Sequence, residues 1–378
     1  MNPIRMVDLV TQYGNIQEEI DAAVLGVMKS AAFINGPEVT AFQQNLEKYL
    51  GVKHVIPCAN GTDALQVSMM ALELKPGDEV ITTSFTFIAT AEVIALLGLT
   101  PVVVDVDPDT FNIDPNAIRR AITPKTKAIV PVHLFGQCAD MEEIQKIADE
   151  FGLFVIEDAC QSIGADYIFK DGSRKKSGTI SNIGCTSFFP SKNLGCFGDG
   201  GAIFTNDDSL AEACRSIANH GMVVRYYHDR VGVNSRLDSI QAAILRVKLK
   251  YLDNYISNRQ NAARAYNEAF ADFPQLQTPQ ESAFSTHVFH QYTLLTTGFD
   301  RNKLQEYLAV KDVPSMIYYP VPMHLQKAYT DPRYKDGDFP ITESLSKSVI
   351  SLPMHTELSP DQIDHITQSV IAFIKSNF

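Results

Sequence analysis

Three short stretches hold side chains whose types and spacing could do chemistry. In SFFPSKNLGCFGDGG, Ser187 to Gly201, Lys192 is the lone basic residue among aromatic, small and glycine residues. Burial penalises the charged form of a lysine, so in apolar surroundings its pKa falls and its amine can condense with an aldehyde. In EDACQ, Glu157 and Asp158 close an apolar run and Gln161 follows three residues on. A carboxylate buried there must be paired, and a cationic heteroaromatic nitrogen would pair it. In NGTDAL, Asn60 or Gly61 can cap a helix and leave the backbone N–H groups of Gly61, Thr62 and Asp63 facing an anion. Taken singly, each has an ordinary reading: a solvated charge, a loop acid, a plain helix cap. Taken together, an amine for an aldehyde, a carboxylate for a ring nitrogen and a helix start for a phosphate are what pyridoxal phosphate needs.

These residues must be positioned by strands, since ligands of open α/β sheets bind at the carboxyl ends of the strands. Seven apolar runs read as buried strands: HVIPCA (54–59), DEVITT (78–83), PVVVDVD (101–107), KAIVPVHL (127–134), LFVIEDA (153–159), GCTSFF (184–189) and GAIFTN (201–206). Helical patterns such as DALQVSMMALEL and MEEIQKIADEFG separate the first five, which implies parallel βαβ units. The last three runs lie closer together, so the spacing predicts a sheet that turns mixed there. From Arg236 to Phe270 apolar residues recur three and four apart, predicting one long helix that bridges two domains. HQYTLL, PSMIYY and VISLP then read as strands, with helices near 300–310, 341–348 and 359–376. The expected division is 12–245 for the large domain and 246–378 for a smaller C-terminal α/β domain, with 1–11 packing on the latter.

The chain has 378 residues, a net charge of -12 and a pI near 5.2. Such a charge repels polyanions, so binding along nucleic acid or an anionic membrane is not expected. The start, MNPIRMVDLVTQYGN, has no basic segment followed by an apolar core, and no apolar run has the length of a membrane span, so a cytoplasmic protein is expected. Six cysteines form no CxxC pair and nine histidines no HExxH spacing, so no metal site is expected.

NGTDAL, SFTFIATAEVIALLG, EDACQSIGA, CTSFFPSKNLGCFGDGGAIFTND and GVNSRLDSIQAAIL, in that order, resemble the DegT/DnrJ/EryC1/StrS sugar aminotransferases over nearly the whole chain. The resemblance implies the type I fold of pyridoxal phosphate enzymes, active as a homodimer with shared sites. It makes Lys192 the lysine that takes the cofactor aldehyde and Asp158 the partner of the pyridine nitrogen. Gln161 would contact the ring hydroxyl and Phe87 would stack on the ring. Gly61, Thr62 and Ser187 would hold the phosphate, joined by Asn234 from the neighbouring subunit. Arg236 matches a position that meets the sugar.

Within the family the chain is most similar to the enzymes acting on UDP-linked 2-acetamido-3-oxo-glucuronate. The implied reaction moves the amino group of L-glutamate to a nucleotide-linked keto-hexose, through pyridoxamine phosphate, in the making of cell-surface polysaccharide or O-antigen sugars. The chain departs from the pattern of the relatives it resembles at Tyr318-Tyr319, where they carry a His-Tyr pair, and at Ala31 and Phe33, where a glycine and a tyrosine are usual. Phe33, Tyr318 and Tyr319 are thus expected in the sugar site, and a dTDP-3- or 4-keto-6-deoxyhexose is the alternative substrate. A dehydratase of the same fold would have the lysine replaced, typically by histidine, whereas Lys192 is present. GCFGDGG is not the GxGxxG of a nicotinamide enzyme. A non-enzymatic, ligand-binding regulator of DNA is a reading of another class; the chain shows no basic stripe for it.

Overall fold

The computed structural model describes residues 3–377. The strands are β1 (His54–Cys58), β2 (Glu79–Thr83), β3 (Thr100–Val104), β4 (Thr126–Val130), β5 (Phe154–Asp158), β6 (Asp166–Ile168), β7 (Arg174–Lys176), β8 (Ile183–Ser187), β9 (Gly201–Thr205), β10 (Leu276–Gln277), β11 (Tyr292–Thr296) and β12 (Val349–Leu352). All seven expected runs form one sheet in the order β1-β9-β8-β5-β4-β2-β3. Neighbours from β8 to β3 pair in parallel, while β9 runs antiparallel to both β1 and β8, so the sheet turns mixed where the spacing predicts.

Both faces of this sheet are covered, as a parallel sheet requires. On one face the helices Gly61–Ala71, Ala89–Leu96 and Asp208–Ala218 bury Leu65, Val67, Ile94 and Ile217. On the other lie Pro37–Leu50, Pro115–Ala121, Met141–Phe151 and Ser239–Leu249. The local logic is plain in Met141–Phe151. The Asp140 carboxylate accepts the Glu143 N–H at its start, Met141, Ile144 and Ile147 recur on the buried side, and Gly152 ends it at φ 64°. Burying each of those side chains stabilises by about 1.5–3 kcal/mol. The helix hands the chain directly to β5.

A separate core lies under the sheet β10-β11-β12, built from Tyr292, Leu294, Ile350 and Leu352 with helices Leu252–Phe270, Arg301–Val310 and Pro360–Asn377. Ile4 packs on this core, and the Met354 N–H donates to the Met6 carbonyl at 3.2 Å. Among the described residues no helix is long and apolar enough to cross a membrane.

Two expectations are corrected. The long helix from Arg236 is two helices, Ser239–Leu249 and Leu252–Phe270, parted by a tight turn at Lys250 and Tyr251. Leu249, Leu252 and Ile256 stay in the core of the large sheet while Ala262 to Phe270 enter the second core, and apolar spacing runs unbroken through the turn. PSMIYY is not a strand: Met316 bridges Ser351 alone. Beyond it Tyr319 leaves to pack among Phe85, Phe87 and Phe135, and three prolines nearby, at 314, 320 and 322, supply no ladder N–H.

Candidate active site

β5 ends in two carboxylates, and strand alternation sends them to opposite faces. Asp158 is nearly buried; its Oδ2 accepts from Thr90 Oγ1 at 2.8 Å and its Oδ1 from the Cys160 N–H at 3.2 Å. Glu157 is fully buried on the other side, where it accepts from the N–H groups of Gly178, Ile180 and Ser181, from Ser181 Oγ, and from His133. His133 Nδ1 accepts the Ala139 N–H, so its Nε2 is the atom that donates to Glu157, at 3.0 Å. Burial alone would raise the Glu157 pKa, but these donors hold it below the usual carboxylate range. Glu157 is therefore an anchor for the 178–181 loop leading into β8, and Asp158 is the acid that faces the site.

Lys192 sits in the turn that follows β8. Its N–H donates to the Phe189 carbonyl at 2.8 Å, and the turn is closed by the Cys196 N–H on the Phe188 carbonyl. Although the residue as a whole is only partly buried, desolvation of its amine lowers the pKa, opposed in part by the neighbouring Cys160 and Asp158. The turn is held from behind by Lys248, whose buried Nζ donates to the Gly195 carbonyl at 2.6 Å, and by Gln241, whose Oε1 accepts the Phe197 N–H.

The helix Gly61–Ala71 starts beside these groups. Asn60 Oδ1 caps it by accepting the Asp63 N–H at 2.8 Å, and the first-turn N–H groups of Gly61 and Thr62 have no acceptor within the helix. A Cβ on Gly61 would come within 2.8 Å of both Cys160 Sγ and Ser187 Cβ, so glycine keeps this cradle open. Ser187 Oγ, at the end of β8, accepts the Phe189 N–H at 3.2 Å. Gln161 ties the next wall together: its Oε1 accepts the Phe135 N–H at 2.8 Å and its Nε2 donates to Tyr319 Oη at 3.1 Å. Burial raises the Tyr319 pKa, so the phenol stays protonated. Phe87 lies 6.3 Å from the Tyr319 ring and is 56% exposed, an open aromatic face on this pocket. Tyr318 stands edge-on to Tyr319 at 5.9 Å.

The structure thus brings Gly61, Ser187, Cys160, Asp158 and Lys192 together, with Gln161, Tyr319 and Phe87 along one side. Phe33, Asn234 and Arg236 do not join them by any hydrogen bond or ion pair among the described residues. Phe33 lies at the start of the helix Ser239–Leu249, where its carbonyl accepts the Ser239 N–H, and Asn234 is exposed, bridged to Asn219. Sequence reasoning missed Thr90 and Lys248. Thr90 stands three residues beyond Phe87 at the opening of a helix, and Lys248 interrupts an apolar helix face, which was the available signal for each.

An amine and a carboxylate within electrostatic reach, beside a glycine-floored helix start, suit a pyridoxal phosphate enzyme of the α/β class. The chain belongs to the DegT/DnrJ/EryC1/StrS aminotransferase family, whose sequence profile matches residues 14–371. It is 48% identical to the UDP-2-acetamido-2-deoxy-3-oxo-D-glucuronate aminotransferase of Pseudomonas aeruginosa, over 95% of this chain and 97% of that one. It is 43% identical to the UDP-N-acetyl-3-dehydro-α-D-glucosamine 3-aminotransferase of Acidithiobacillus ferrooxidans, over 96% of each. The crystal structure of NtdA from Bacillus subtilis with bound pyridoxamine phosphate superposes with a TM-score of 0.88 at 32% identity, covering 98% of this chain and 83% of that one. The cofactor is pyridoxal 5'-phosphate and the chain is an aminotransferase.

Proposed function

We propose that this enzyme moves the amino group of L-glutamate to the keto carbon of a nucleotide-linked hexose, a UDP-2-acetamido-3-keto sugar, giving the 3-amino product. The observation that carries the reading is the desolvated Lys192 amine beside an Asp158 carboxylate held by Thr90 and the Cys160 N–H. The names of the two UDP-sugar relatives support the substrate class. The product would serve cell-surface polysaccharide synthesis in the cytoplasm.

When bound, pyridoxal phosphate supplies an aldehyde that condenses with amines and a protonated ring that withdraws electrons. Asp158 would hold the positive charge of the ring nitrogen, and its two donors keep the carboxylate oriented for it. Gly61, Thr62 and Ser187 would bind the phosphate through helix-start N–H groups and a hydroxyl. Gln161 would orient the ring at its hydroxyl and Phe87 would cover one ring face. Lys192, lowered in pKa, would take a proton at Nζ from the α-carbon of the amino donor and give it up to the carbon that receives the amine, serving as base and acid in turn. Arg236 would pair with a carboxylate or phosphate of the sugar, with Phe33, Tyr318 and Tyr319 lining its site.

The site is completed in this reading by a second copy, which contributes Asn234. The segment that carries it ends a stretch with Tyr226 75%, Tyr227 69% and Val231 83% exposed, apolar surface that a homodimer would cover. Cofactor binding falls to 12–245 and the smaller domain to 246–378, with 1–11 on the latter, as the separate core near Ile4 supports.

The test is the visible spectrum of the cofactor-loaded protein, before and after glutamate without sugar, then 2-oxoglutarate release with UDP- and dTDP-keto sugars. Bleaching by glutamate and release with UDP-3-keto sugars are expected. Release with dTDP sugars alone would overturn the substrate, and no response to glutamate would overturn the donor.

A further inference from the structure

Gln161 and Tyr319 form a hydrogen-bond relay whose direction is fixed and whose far end is open. The relay starts at the Phe135 N–H, which can only donate, so the Gln161 atom that meets it at 2.8 Å is the amide oxygen. This turns Nε2 toward Tyr319, where it donates to Oη at 3.1 Å. With Oη accepting there, the phenol hydrogen points elsewhere, and among the described residues it has no acceptor. Gln161 Nε2 carries a second hydrogen, which has no acceptor among them either. One wall of the pocket thus holds two uncommitted donors, on atoms 3.1 Å apart.

That wall is firmly held. Phe135 and Gln161 are buried, and the half-buried Tyr319 ring is packed by Phe85 at 6.1 Å, Phe87 at 6.3 Å and Phe135 at 6.5 Å. The titratable groups that face the phenol are Tyr318, Asp158 and Cys160. Burial chiefly raises its pKa, the Gln161 bond opposes this, and the three neighbours add to the rise, so the phenol keeps its hydrogen at neutral pH. Two donors this close suit a single anionic oxygen.

We propose that Tyr319 is a second donor to the ring oxygen of the bound cofactor: its O–H and Gln161 Nε2 grip the ring hydroxyl position together and keep that oxygen ionised. The Phe135 N–H sets the polarity, because it leaves the pair no freedom to reverse. Tyr319 then serves both ligands, with its hydroxyl on the cofactor and its ring along the sugar site. This rests on pyridoxal phosphate lying with its hydroxyl at Gln161.

The probe is 4'-deoxypyridoxine 5'-phosphate, which has a methyl in place of the aldehyde and cannot condense with Lys192. Bound to the apoprotein and titrated with pH, its near-ultraviolet absorption follows the ring hydroxyl. A donor favours the ionised oxygen, so Tyr319→Phe should raise the midpoint by about one unit and weaken binding roughly tenfold at pH values above it. The variant keeps the ring and its aromatic neighbours, so the fold should stand. The same analogue without its ring hydroxyl should bind Tyr319→Phe and wild type alike, which lost packing would not reproduce. An unchanged midpoint, or equal weakening of both analogues, overturns the proposal. Wild type that binds the two analogues equally would instead overturn the placing of the ring hydroxyl at Gln161.

Discussion

Thr90 donates its hydroxyl to Asp158 Oδ2 at 2.8 Å, so the helix that opens just after Phe87 reaches the carboxylate at the tip of β5. A hydrogen bond to a charged group is worth about 1.5–3 kcal/mol. Thr90→Val should therefore weaken pyridoxal phosphate binding by roughly 10- to 100-fold, while Thr90→Ser stays near wild type. Fluorescence titration of the apoprotein measures both; equal affinities for Val and Ser would show that the bond does not hold Asp158 for the ring.

Gly61→Ala places a methyl 2.8 Å from Cys160 Sγ and Ser187 Cβ. Overpacking of this kind costs about 1–3 kcal/mol, and here it intrudes on the phosphate cradle. Cofactor affinity should fall, and inorganic phosphate should lose its ability to protect the apoprotein against heat. Thermal scans with and without phosphate make the comparison.

Ala31 ends the helix Gln17–Ser30 in the left-handed region, at φ 54°. That conformation costs a residue with a Cβ about 1–2 kcal/mol, and glycine relieves most of it. Ala31→Gly should stabilise the protein by about 1 kcal/mol, read from the denaturant midpoint. A lower midpoint would show that the Ala31 methyl packs better than its backbone suffers.

Lys248 is pushed down to about 8 by burial. In the unfolded chain its pKa is near ~10.4. Between those values the unfolded chain holds a proton that the folded one has released, so this group makes stability rise with pH across that window, and its cost is fully present below pH ~8. Wild type should gain on Lys248→Met by on the order of 2 kcal/mol from pH ~8 to pH ~10. Parallel melts across that range test it, and a constant difference would contradict it.

Much of this arrangement was legible in the residues. The seven buried strands were short apolar runs bounded by polar turns, and the lysine turn, the Asp158 tip and the Asn60 cap each stood at the end of such a run. The break at Lys250 and Tyr251 was not legible, because it is imposed by two cores that the helices must enter in succession, with no glycine or proline to mark it. Tyr318 and Tyr319 read as strand because both favour extended backbone, yet the Tyr319 ring is claimed by Phe85 and Phe135, and Tyr318 packs on the same cluster. The roles of Glu157 and Asp158 could have been separated beforehand, since neighbours in a strand face opposite ways.

That alternation has a consequence for how the chain assembles. Val155 packs in the core on one face of β5 and Ile156 in the core on the other, so hydrophobic pattern does not choose the strand's register. A slip of one residue would set Asp158 in the place of Glu157, or Glu157 in the place of Asp158, and spoil the cofactor side of the strand tip. What rejects it is the five-donor nest around Glu157, cut for the longer side chain. The fidelity of the cofactor pocket is thus proofread on the reverse of the sheet, by contacts no ligand ever touches.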